Sequence, residues 1–358
     1  MAKLKAGIVG CGGIANQKHL PILKNLGLFE AVAFCDLIEE RAIQAKKDFG
    51  SDDARIYTDY HKLLEEDLDA VFVLTPNIAH APITIAALNS GKSVMCEKPM
   101  ATTFADAKAM ADAAKANKKV LTIGYQNRYK NSAQYIRTAV QAGEFGEIYF
   151  AKAYALRRRG VPTWGVFLDA EKQGGGPLID IGTHSLDLAL WFMDNYDPVS
   201  VTGVTFRKLA DQKNTANSWG DWDPSVFTVE DSAFGFVKMR SGATVIIESS
   251  WALNTLSVRE ACAQICGTLA GADTMDGLRI NSVKHGFQVV EKPELKLKGV
   301  DYFEGLKESH EYREHRVFYE AVAHGAPLTV LPEQAMIVTK ILEAVYESAK
   351  TGKTVYFD

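Results

Sequence analysis

Short apolar runs alternate with stretches of helical periodicity over the first part of the chain. Each run lacks regular polar positions, which is typical of strands buried on both faces of a parallel sheet. The predicted strands are Ala6–Val9, Ala31–Phe34, Ala70–Leu74, Ser93–Cys96 and Val120–Ile123, and the helices between them are Leu37–Phe49, Ile78–Ser90 and Phe104–Asn117. This βαβ alternation predicts an α/β domain with a doubly wound parallel sheet.

Longer strands with partial alternation of apolar and polar positions follow in the second part of the chain. Such strands favour an antiparallel sheet with one face packed and the other open. They are Glu147–Leu156, Val199–Phe206, Ser232–Met239, Ala243–Ser250, Arg259–Cys266 and Lys284–Val290, and the helices Glu308–His324 and Pro332–Lys350 close the chain. We therefore predict two domains, 1–125 and 126–358, the second an α+β domain with a large open, mainly antiparallel sheet.

Composition narrows the class of protein. The 358 residues carry a formal net charge of -4, which argues against a basic nucleic-acid-binding protein. No apolar run approaches the roughly 20 residues of a membrane helix, and the N-terminus enters a strand without a leader-like segment. The five cysteines have no disulfide or zinc spacing, so we expect reduced thiols and no metal site. These features predict a cytoplasmic protein that binds neither nucleic acid nor membranes.

A glycine-rich turn follows the first strand and opens a helical segment. Its residues Gly10, Gly12, Gly13, Ile14 and Ala15 match the pattern G-x-G-x-x-A. Here glycines permit a tight turn and let backbone amides approach a pyrophosphate at the helix N-terminus. Asp36 ends the second strand, where a carboxylate can accept both ribose hydroxyls, and it also suits the N-cap of the next helix. The arrangement predicts a Rossmann domain, and because Asp36 would repel a 2′-phosphate it favours NAD over NADP.

Two further strands end in polar residues at the carboxyl edge of the predicted sheet, where ligands of such folds bind. The residues are Thr75, Pro76, Asn77 and His80 after one strand and Glu97, Lys98 and Pro99 after the other. Taken alone, the first group suits an ordinary turn with Asn77 as N-cap, and Lys98 suits an exposed surface position. In a desolvated cleft, Lys98 would instead stabilise the charge of an alkoxide.

The strongest local pattern is a run of three glycines followed by a polar stripe. If residues 177–193 are helical, Asp180, His184 and Asp187 lie on one face of a helix that is otherwise apolar. Such a helix is buried, so its polar stripe faces a partner or a cavity. One interpretation is an Asp–His pair that braces the domain interface. The other is a general base, in which neutral His184 takes a hydroxyl proton.

Aromatic and basic residues precede and follow this helix. Arg157 and Trp164 belong to the run Arg-Arg-Arg-Gly-Val-Pro-Thr-Trp, which suits a solvated turn or a sugar-binding edge. Trp219 and Trp222 lie in a predicted long loop, Leu209–Pro224, where each would stack on a pyranose or anchor the loop.

In this order the glycine turn, Glu97-Lys98-Pro99 and the Asp180/His184 pattern resemble the glucose–fructose oxidoreductase and inositol dehydrogenase (Gfo/Idh/MocA) family, over essentially the whole chain. The resemblance implies a Rossmann domain, an α/β domain with an open antiparallel sheet, and oxidation or reduction of a sugar or cyclitol carbinol with NAD(P). It further implies that Thr75, Asn77 and His80 lie near the nicotinamide and that Gln126-Asn127-Arg128 lines the cleft.

These observations give one set of predicted site residues. The catalytic residues are Lys98, Asp180 and His184; the cofactor residues are Gly10, Gly12, Gly13, Ile14, Ala15, Asp36, Thr75, Pro76, Asn77, His80, Glu97, Lys98 and Gln126; the substrate residues are Lys98, Arg128, Arg157, Trp164, Asp180 and His184. Lys98 and His184 would titrate as a coupled pair, so the choice of formal base stays open.

The predicted function is an NAD(P)-dependent dehydrogenase acting on a sugar, glycoside or cyclitol. An enzyme with tightly held, recycled NAD, either a sugar–sugar oxidoreductase or an NAD-dependent glycosidase, is the alternative with the same fold. A non-catalytic dinucleotide sensor is the alternative from another class. The partly alternating strands of the second domain predict a homodimer or homotetramer formed through its sheet, because one whole face would otherwise expose apolar residues. The long loop and the C-terminal tail folding over that face would be the other way to cover it.

Overall fold

The computed structural model describes residues 3–295 and 309–358. Contacts between residues divide the chain into two compact units. Unit 1 is Met1–Tyr129 with Glu308–Met336, and unit 2 is Lys130–Lys307 with Ile337–Asp358. The prediction from sequence had placed everything after residue 125 in the second domain, whereas the segment that ends at Met336 clusters with the first unit.

Both units contain α-helices. Over the described residues the α-helices are α1 (Leu20–Leu26), α2 (Glu39–Phe49), α3 (Tyr60–Leu63), α4 (His80–Asn89), α5 (Phe104–Asn117), α6 (Asn131–Gln141), α7 (Ala170–Gln173), α8 (Thr183–Met193), α9 (His310–His324) and α10 (Pro332–Thr351). Short π-helices, Ala15–His19 and Leu178–Gly182, run directly into α1 and α8, and 3₁₀ turns form at Asn77–Ala79 and Gln126–Tyr129. The predicted start of the α9 helix at Glu308 lies outside the described residues.

A parallel sheet forms the centre of unit 1. Its strands are β1 (Leu4–Val9), β2 (Phe29–Cys35), β3 (Arg55–Tyr57), β4 (Ala70–Val73), β5 (Ser93–Cys96) and β6 (Leu121–Ile123). In the described part of the unit they run in the order β3-β2-β1-β4-β5-β6, with every pair of neighbours parallel. All residues of β4 and β5 are buried, as the unbroken apolar runs predicted. The doubly wound fold is confirmed, and the short edge strand β3 was not predicted.

The core of unit 1 explains why α9 belongs to it. Phe318 and Tyr319 of α9 are buried in the same cluster as Phe29 of β2 and Phe72 of β4. The rings of Phe72 and Phe318 pack edge to face with their centroids 5.7 Å apart. Because of these apolar contacts, α9 belongs to the first unit although it is distant from it in sequence.

A larger sheet forms the centre of unit 2. Its strands are β7 (Ile148–Leu156), β8 (Pro198–Phe206), β9 (Ser232–Met239), β10 (Thr244–Ser250), β11 (Arg259–Gly267), β12 (Ala270–Asp273), β13 (Arg279–Lys284), β14 (Phe287–Glu291) and β15 (Val355–Tyr356). In the described residues the order is β14-β13-β12-β11-β7-β10-β9-β8-β15, antiparallel except for the parallel pair β7 and β10. The predicted open, mainly antiparallel sheet is confirmed.

The predicted strand Lys284–Val290 is wrong. The structure has a hairpin there, β13 and β14, which turns at His285 and Gly286. Both residues have positive φ, 54° and 82°, as a tight hairpin turn that matches the twist of its strands requires. Histidine tolerates this conformation better than β-branched residues do, and glycine adopts it freely.

The two faces of this sheet differ in burial. Val237 of β9 and Val245 and Ile247 of β10 lie on one face and are fully buried, and α8 packs against β7 and β11. On the other face, which we call the open face, Phe236 pairs with Ile246 and Phe234 with Val204. Large apolar side chains on the open face remain exposed, among them Val204, Phe206 and Phe236.

Within the described ranges, no helix is both long and apolar enough to cross a membrane. The same residues contain no cluster of three potential ligands arranged to hold a metal ion. The five cysteines are free thiols, buried at Cys11, Cys35 and Cys96 and half-buried at Cys262 and Cys266.

Candidate active site

The glycine turn follows β1 and has the geometry that a pyrophosphate needs. Gly10 has a φ of 94°, and a Cβ there would lie 2.6 Å from the carbonyl oxygen of Leu74. By contrast, a Cβ on Gly12 or Gly13 would meet open space, so a ligand has room beside the backbone of this turn. Ala15 is fully buried at the first turn of the helix. The turn therefore fits a dinucleotide phosphate at a helix N-terminus.

Asn16 fixes this turn, and the sequence analysis did not identify it. Its side-chain amide donates to the carbonyl oxygens of Cys11 and Gly12 at 2.8 and 2.9 Å. These hydrogen bonds stabilise the conformation of the turn. The sequence signal was an asparagine directly after the motif, which alone is too common to assign.

Asp36 lies beside the same turn. Its carboxylate accepts hydrogen bonds from the backbone N–H of Cys11 at 2.8 Å and of Ile38 at 2.9 Å. Helix α2 begins only at Glu39, so Asp36 is not its N-cap. Each carboxylate oxygen keeps further lone pairs for hydroxyl donors. The carboxylate is therefore fixed beside the glycine turn, which suits a residue that binds the ribose hydroxyls.

Thr75 and His80 follow β4 and differ in their hydrogen bonding. The hydroxyl oxygen of Thr75 is buried, and it meets no hydrogen-bond partner within the described residues. Such a donor fits a bound polar ligand. His80 is different, since its ring nitrogens lie 2.8 and 2.9 Å from the carbonyl oxygens of Pro99 and Thr75. His80 therefore links the loops that follow β4 and β5, and its role as a cofactor residue stays a prediction.

Glu97 and Lys98 follow β5. The Glu97 carboxylate is buried and accepts hydrogen bonds from Lys18 Nζ at 2.9 Å and from the Lys98 backbone N–H at 3.0 Å, with His19 Nε2 2.8 Å away. Lys18, His19 and the Lys98 N–H contact both oxygens of Glu97, which was predicted to bind the cofactor, and that role stays a prediction. Through the Lys98 N–H, Glu97 fixes the backbone that presents Lys98, which is half-buried.

A buried ionic cluster extends from Glu97. Lys18 also pairs with Glu314 of α9 at 3.1 Å, and His19 Nδ1 lies 2.9 Å from His315 Nε2. Burial favours neutral Glu97, but the charge of Lys18 and the contact with His19 hold its pKa well below the ordinary value. Burial raises the pKa of Glu314 to about 7 and, together with Lys18, lowers the pKa of His19 to about 4. Lys18 and Glu97 thus form the charged pair of the cluster, and the histidines are neutral.

Residues of the segment after β6 contact other parts of unit 1. Arg128 is fully buried, and its guanidinium donates to the carbonyl oxygen of Thr329 at 3.0 Å and to the side chain of Gln334. The 3₁₀ turn directs this side chain into the unit, and its predicted role at the substrate stays a prediction. Gln126 is half-buried, with its side-chain oxygen 3.5 Å from Lys18 Nζ.

In unit 2 the glycine run packs against buried Glu230 and half-buried Tyr346. A Cβ on Gly175 would collide with the hydroxyl of Tyr346, and one on Gly176 would collide with the carbonyl oxygen of Glu230. The Glu230 carboxylate accepts from the N–H of Gly176 at 2.8 Å and of Leu178 at 3.2 Å, and from the Tyr346 hydroxyl at 2.9 Å. Glu230 therefore supplies acceptors for the unpaired amides at the start of this helical segment. Burial raises its pKa to about 6 despite these hydrogen bonds.

Residues 178–193 are helical as predicted, but the first turn is a π-helix, Leu178–Gly182. π-Turns are frequent at functional sites. Asp180 lies in this turn, and its carboxylate accepts a hydrogen bond from Trp251 Nε1 at 3.1 Å. Gly182 is needed for close packing, because a Cβ there would lie 2.9 Å from Ser249 Oγ. Trp251 was not identified from the sequence, since nothing local connects it to Asp180.

His184 and Asp187 lie in α8 and are buried, as is every other residue of that helix. The predicted burial of the helix on all sides is therefore confirmed. The helix carries a carboxylate and an imidazole in a largely apolar region, where each electrostatic interaction is stronger than in water.

Arg157 and Trp164 also belong to unit 2. The Arg157 guanidinium pairs with both carboxylate oxygens of Glu260, one of them at 2.7 Å, and donates to the Gly160 carbonyl oxygen at 3.0 Å. Its charge is thus paired within the protein. Trp164 is 52% exposed, whereas Trp222 is buried and anchors the long loop through a 2.8 Å bond to the Ala210 carbonyl oxygen.

Comparison with known proteins gives the family of this chain. Residues 4–125 match the model of the oxidoreductase family with an NAD-binding Rossmann fold, Gfo/Idh/MocA, and residues 133–272 match the Gfo/Idh/MocA C-terminal domain. A D-glucoside 3-dehydrogenase of Escherichia coli is 35% identical over 98% of this chain and 97% of its own. An inositol 2-dehydrogenase of Salmonella paratyphi B is 32% identical over 55% of this chain and 57% of its own.

Among solved structures, an oxidoreductase domain protein from Kribbella flavida superposes with a TM-score of 0.86 at 23% identity, covering 100% of each chain. This likeness shows the fold. The family matches and the full-length relative confirm the prediction of a dehydrogenase. The chain is therefore a member of the Gfo/Idh/MocA family of oxidoreductases.

Proposed function

We propose that the protein is an NAD-dependent dehydrogenase that oxidises a secondary hydroxyl of a D-glucoside to a ketone. The observation that carries the chemistry is the buried helical segment that bears Asp180 and His184, with the Asp180 carboxylate held by Trp251. The glucoside class, and C3 as the oxidised position, are supported by the E. coli relative, whose similarity extends over nearly the whole chain.

The reaction removes a proton and a hydride from one carbinol. In this proposal neutral His184 takes the hydroxyl proton on a ring nitrogen, and cationic Lys98 donates a hydrogen bond to the same oxygen and stabilises its negative charge. Asp180 orients the sugar and favours the imidazolium of His184. Bound NAD supplies the acceptor for the hydride, which leaves with both electrons of the C–H bond, so the carbinol is oxidised while the cofactor is reduced.

NAD is favoured over NADP by the position of Asp36. Gly12 and Gly13 would hold the pyrophosphate through their backbone amides, with the turn fixed by Asn16. Asp36 would accept the ribose hydroxyls, and its negative charge beside the glycine turn would repel a 2′-phosphate.

We further propose that the protein self-associates through the open face of the unit 2 sheet. Phe236, Phe206 and Val204 project from neighbouring strands there and are 51%, 40% and 46% exposed. Exposed apolar patches of this kind mark interaction sites, and a sheet face that meets its own copy gives a two-fold interface. A homodimer or homotetramer is the expected state.

The activity is tested by incubating the purified protein with NAD and a panel of glucosides, glucose and inositol, while NADH absorbance is recorded. We expect NADH to accumulate over many turnovers with at least one glucoside. If NADH appears only in an amount equal to the enzyme, the cofactor is retained and recycled, and the proposed dehydrogenase is wrong.

A further inference from the structure

Two exposed tryptophans form a corner on unit 2. Trp164 is 52% and Trp219 43% exposed, and their rings stand almost perpendicular, at 81°, with centroids 5.1 Å apart. We call this pair the aromatic corner. Together the two indoles leave on the order of 200 Å² of mostly apolar surface in contact with solvent. Such a pair offers two indole rings on which a ligand ring can stack.

Both tryptophans of the aromatic corner lie in loops, and hydrogen bonds between these loops fix their positions. The hydroxyl of Thr163 donates to the Trp219 carbonyl oxygen at 2.7 Å. The side chain of Asn217 accepts from the N–H of Val161 at 2.9 Å and donates to its carbonyl oxygen at 3.0 Å. These bonds join the two loops on either side of the tryptophans. A ligand would therefore meet a preformed surface and would pay little ordering entropy.

A chain of aromatic contacts connects the aromatic corner with Asp180. Trp164 packs edge to face on Phe167, with centroids 5.9 Å apart, and Phe167 packs in the same way on Trp251, at 6.4 Å. Trp251 donates the hydrogen bond to Asp180. The corner thus belongs to the same wall of unit 2 as the carboxylate.

Arg157 supports the aromatic corner from the other side. Its guanidinium carbon lies 5.1 Å from the ring centre of Trp219, within the range of a cation–π contact. Glu260 neutralises the guanidinium, as described above. The corner therefore presents aromatic faces and no unpaired positive charge from Arg157, which fits a neutral ring better than a phosphate.

We propose that the aromatic corner is a second-ring subsite, in which a neighbouring sugar or aryl aglycone of the substrate stacks on Trp164 and Trp219. A pyranose has an apolar face of C–H groups, which the electron-rich face of an indole attracts, and an aryl ring stacks there as well. This inference rests on the proposed function, since the first ring is the glucoside whose hydroxyl is oxidised beside Asp180. It makes the enzyme selective for two-ring glycosides.

The test compares one-ring and two-ring substrates. The kcat/KM of wild type, Trp164→Ala and Trp219→Ala is measured on methyl glucosides and on phenyl glucosides and glucose disaccharides of both anomeric configurations. We expect each substitution to lower the ratio of two-ring to one-ring kcat/KM about tenfold, the effect of losing one aromatic stacking contact. Phe287→Ala, which removes an exposed aromatic of β14, is the control and should leave the ratio unchanged.

Binding provides a second readout that does not depend on turnover. Quenching of tryptophan fluorescence by phenyl glucoside and by disaccharide is titrated with wild type and with both variants. Weaker binding of two-ring ligands to the variants, with methyl glucoside less affected, supports the subsite. Equal losses on one-ring and two-ring ligands, or none, would overturn it. Should no glucoside be oxidised, the proposed function fails, and the titration still decides whether the corner binds a ring.

Discussion

In the proposed reaction, Lys98 stabilises the negative charge of the reacting oxygen and His184 takes its proton. Lys98→Ala and His184→Ala should each lower turnover roughly 10²-fold or more, because each removes a group that acts on the reacting oxygen. NAD affinity should change little in His184→Ala, since His184 lies in unit 2 and the glycine turn in unit 1. Steady-state kinetics and NAD titration measure both quantities. Near-wild-type turnover of His184→Ala would show that another group takes the proton.

Asp36 should set the preference between the two nicotinamide cofactors. Asp36→Ser should narrow the gap between NAD and NADP affinity, because it removes the negative charge next to the position of a 2′-phosphate. Asp36→Asn is the matched control, since it removes the charge but retains the size and one acceptor oxygen. Calorimetric titration of both cofactors measures the gap. Wild-type binding of NADP as tight as that of NAD would contradict the assignment.

Glu314 should make stability depend on pH. Its pKa in the folded protein is about 7, above the usual carboxyl value, so its stabilising contribution is present below about pH 4.5 and is lost as pH rises through 7. The charged groups that act on it are Lys18, which lowers its pKa, and Glu97 and Glu311, which raise it. The stability of Glu314→Gln relative to wild type should therefore increase between these pH values, by at most about 1.4 kcal/mol per pH unit. Urea unfolding across this range measures the difference, and a constant difference would contradict the buried, protonated carboxyl.

Residue types were easier to predict than side-chain directions. The glycine turn and Asp36 have local sequence patterns, and the structure places them together. Glu97 and Arg128 also stand at the edge of the sheet in sequence, but both bind internal partners. Those partners, Lys18 and Gln334, are distant in the chain, so no local pattern indicates that the side chains turn inward.

At the scale of elements, the start of the Asp180 helix depends on close packing of the glycine run. Gly175→Ala should destabilise the protein by about 1–3 kcal/mol, because the added methyl group collides with the hydroxyl and the ring carbon Cζ of Tyr346. Tyr346→Ala removes both atoms, so the double variant should lose less stability than the sum of the two single variants. Denaturant unfolding of the four proteins measures this coupling. Additive losses would show that the collision is not the cause.

Elements were predictable where the apolar pattern was continuous. The buried strands β4 and β5 and the helix after Pro177 follow from such patterns. The β13–β14 hairpin was missed, because its turn consists of His285 and Gly286 between charged and polar residues and resembles a continuous exposed strand. Glu230 and Trp251, which hold the helix, were missed because hydrogen bonds across more than fifty residues have no periodic signature.

For the whole molecule, we expect a homo-oligomer formed through the open face. Light scattering of the wild type at micromolar concentration should give at least twice the 39.3 kDa chain mass. Phe236→Glu should shift the mass towards the monomer, because it places a charge on the apolar face. Phe287→Glu is the control on the opposite face of the sheet. A wild-type monomer would refute the interface.

The proposed reaction transfers a hydride from a glucoside carbinol to NAD. A methyl glucoside that carries deuterium at C3, incubated with the purified protein and NAD, follows this transfer. We expect one deuterium atom in each NADH recovered by mass spectrometry and an equal amount of 3-keto glucoside. NADH without deuterium would contradict oxidation at C3, and the absence of both products with every glucoside tested would contradict the assigned activity.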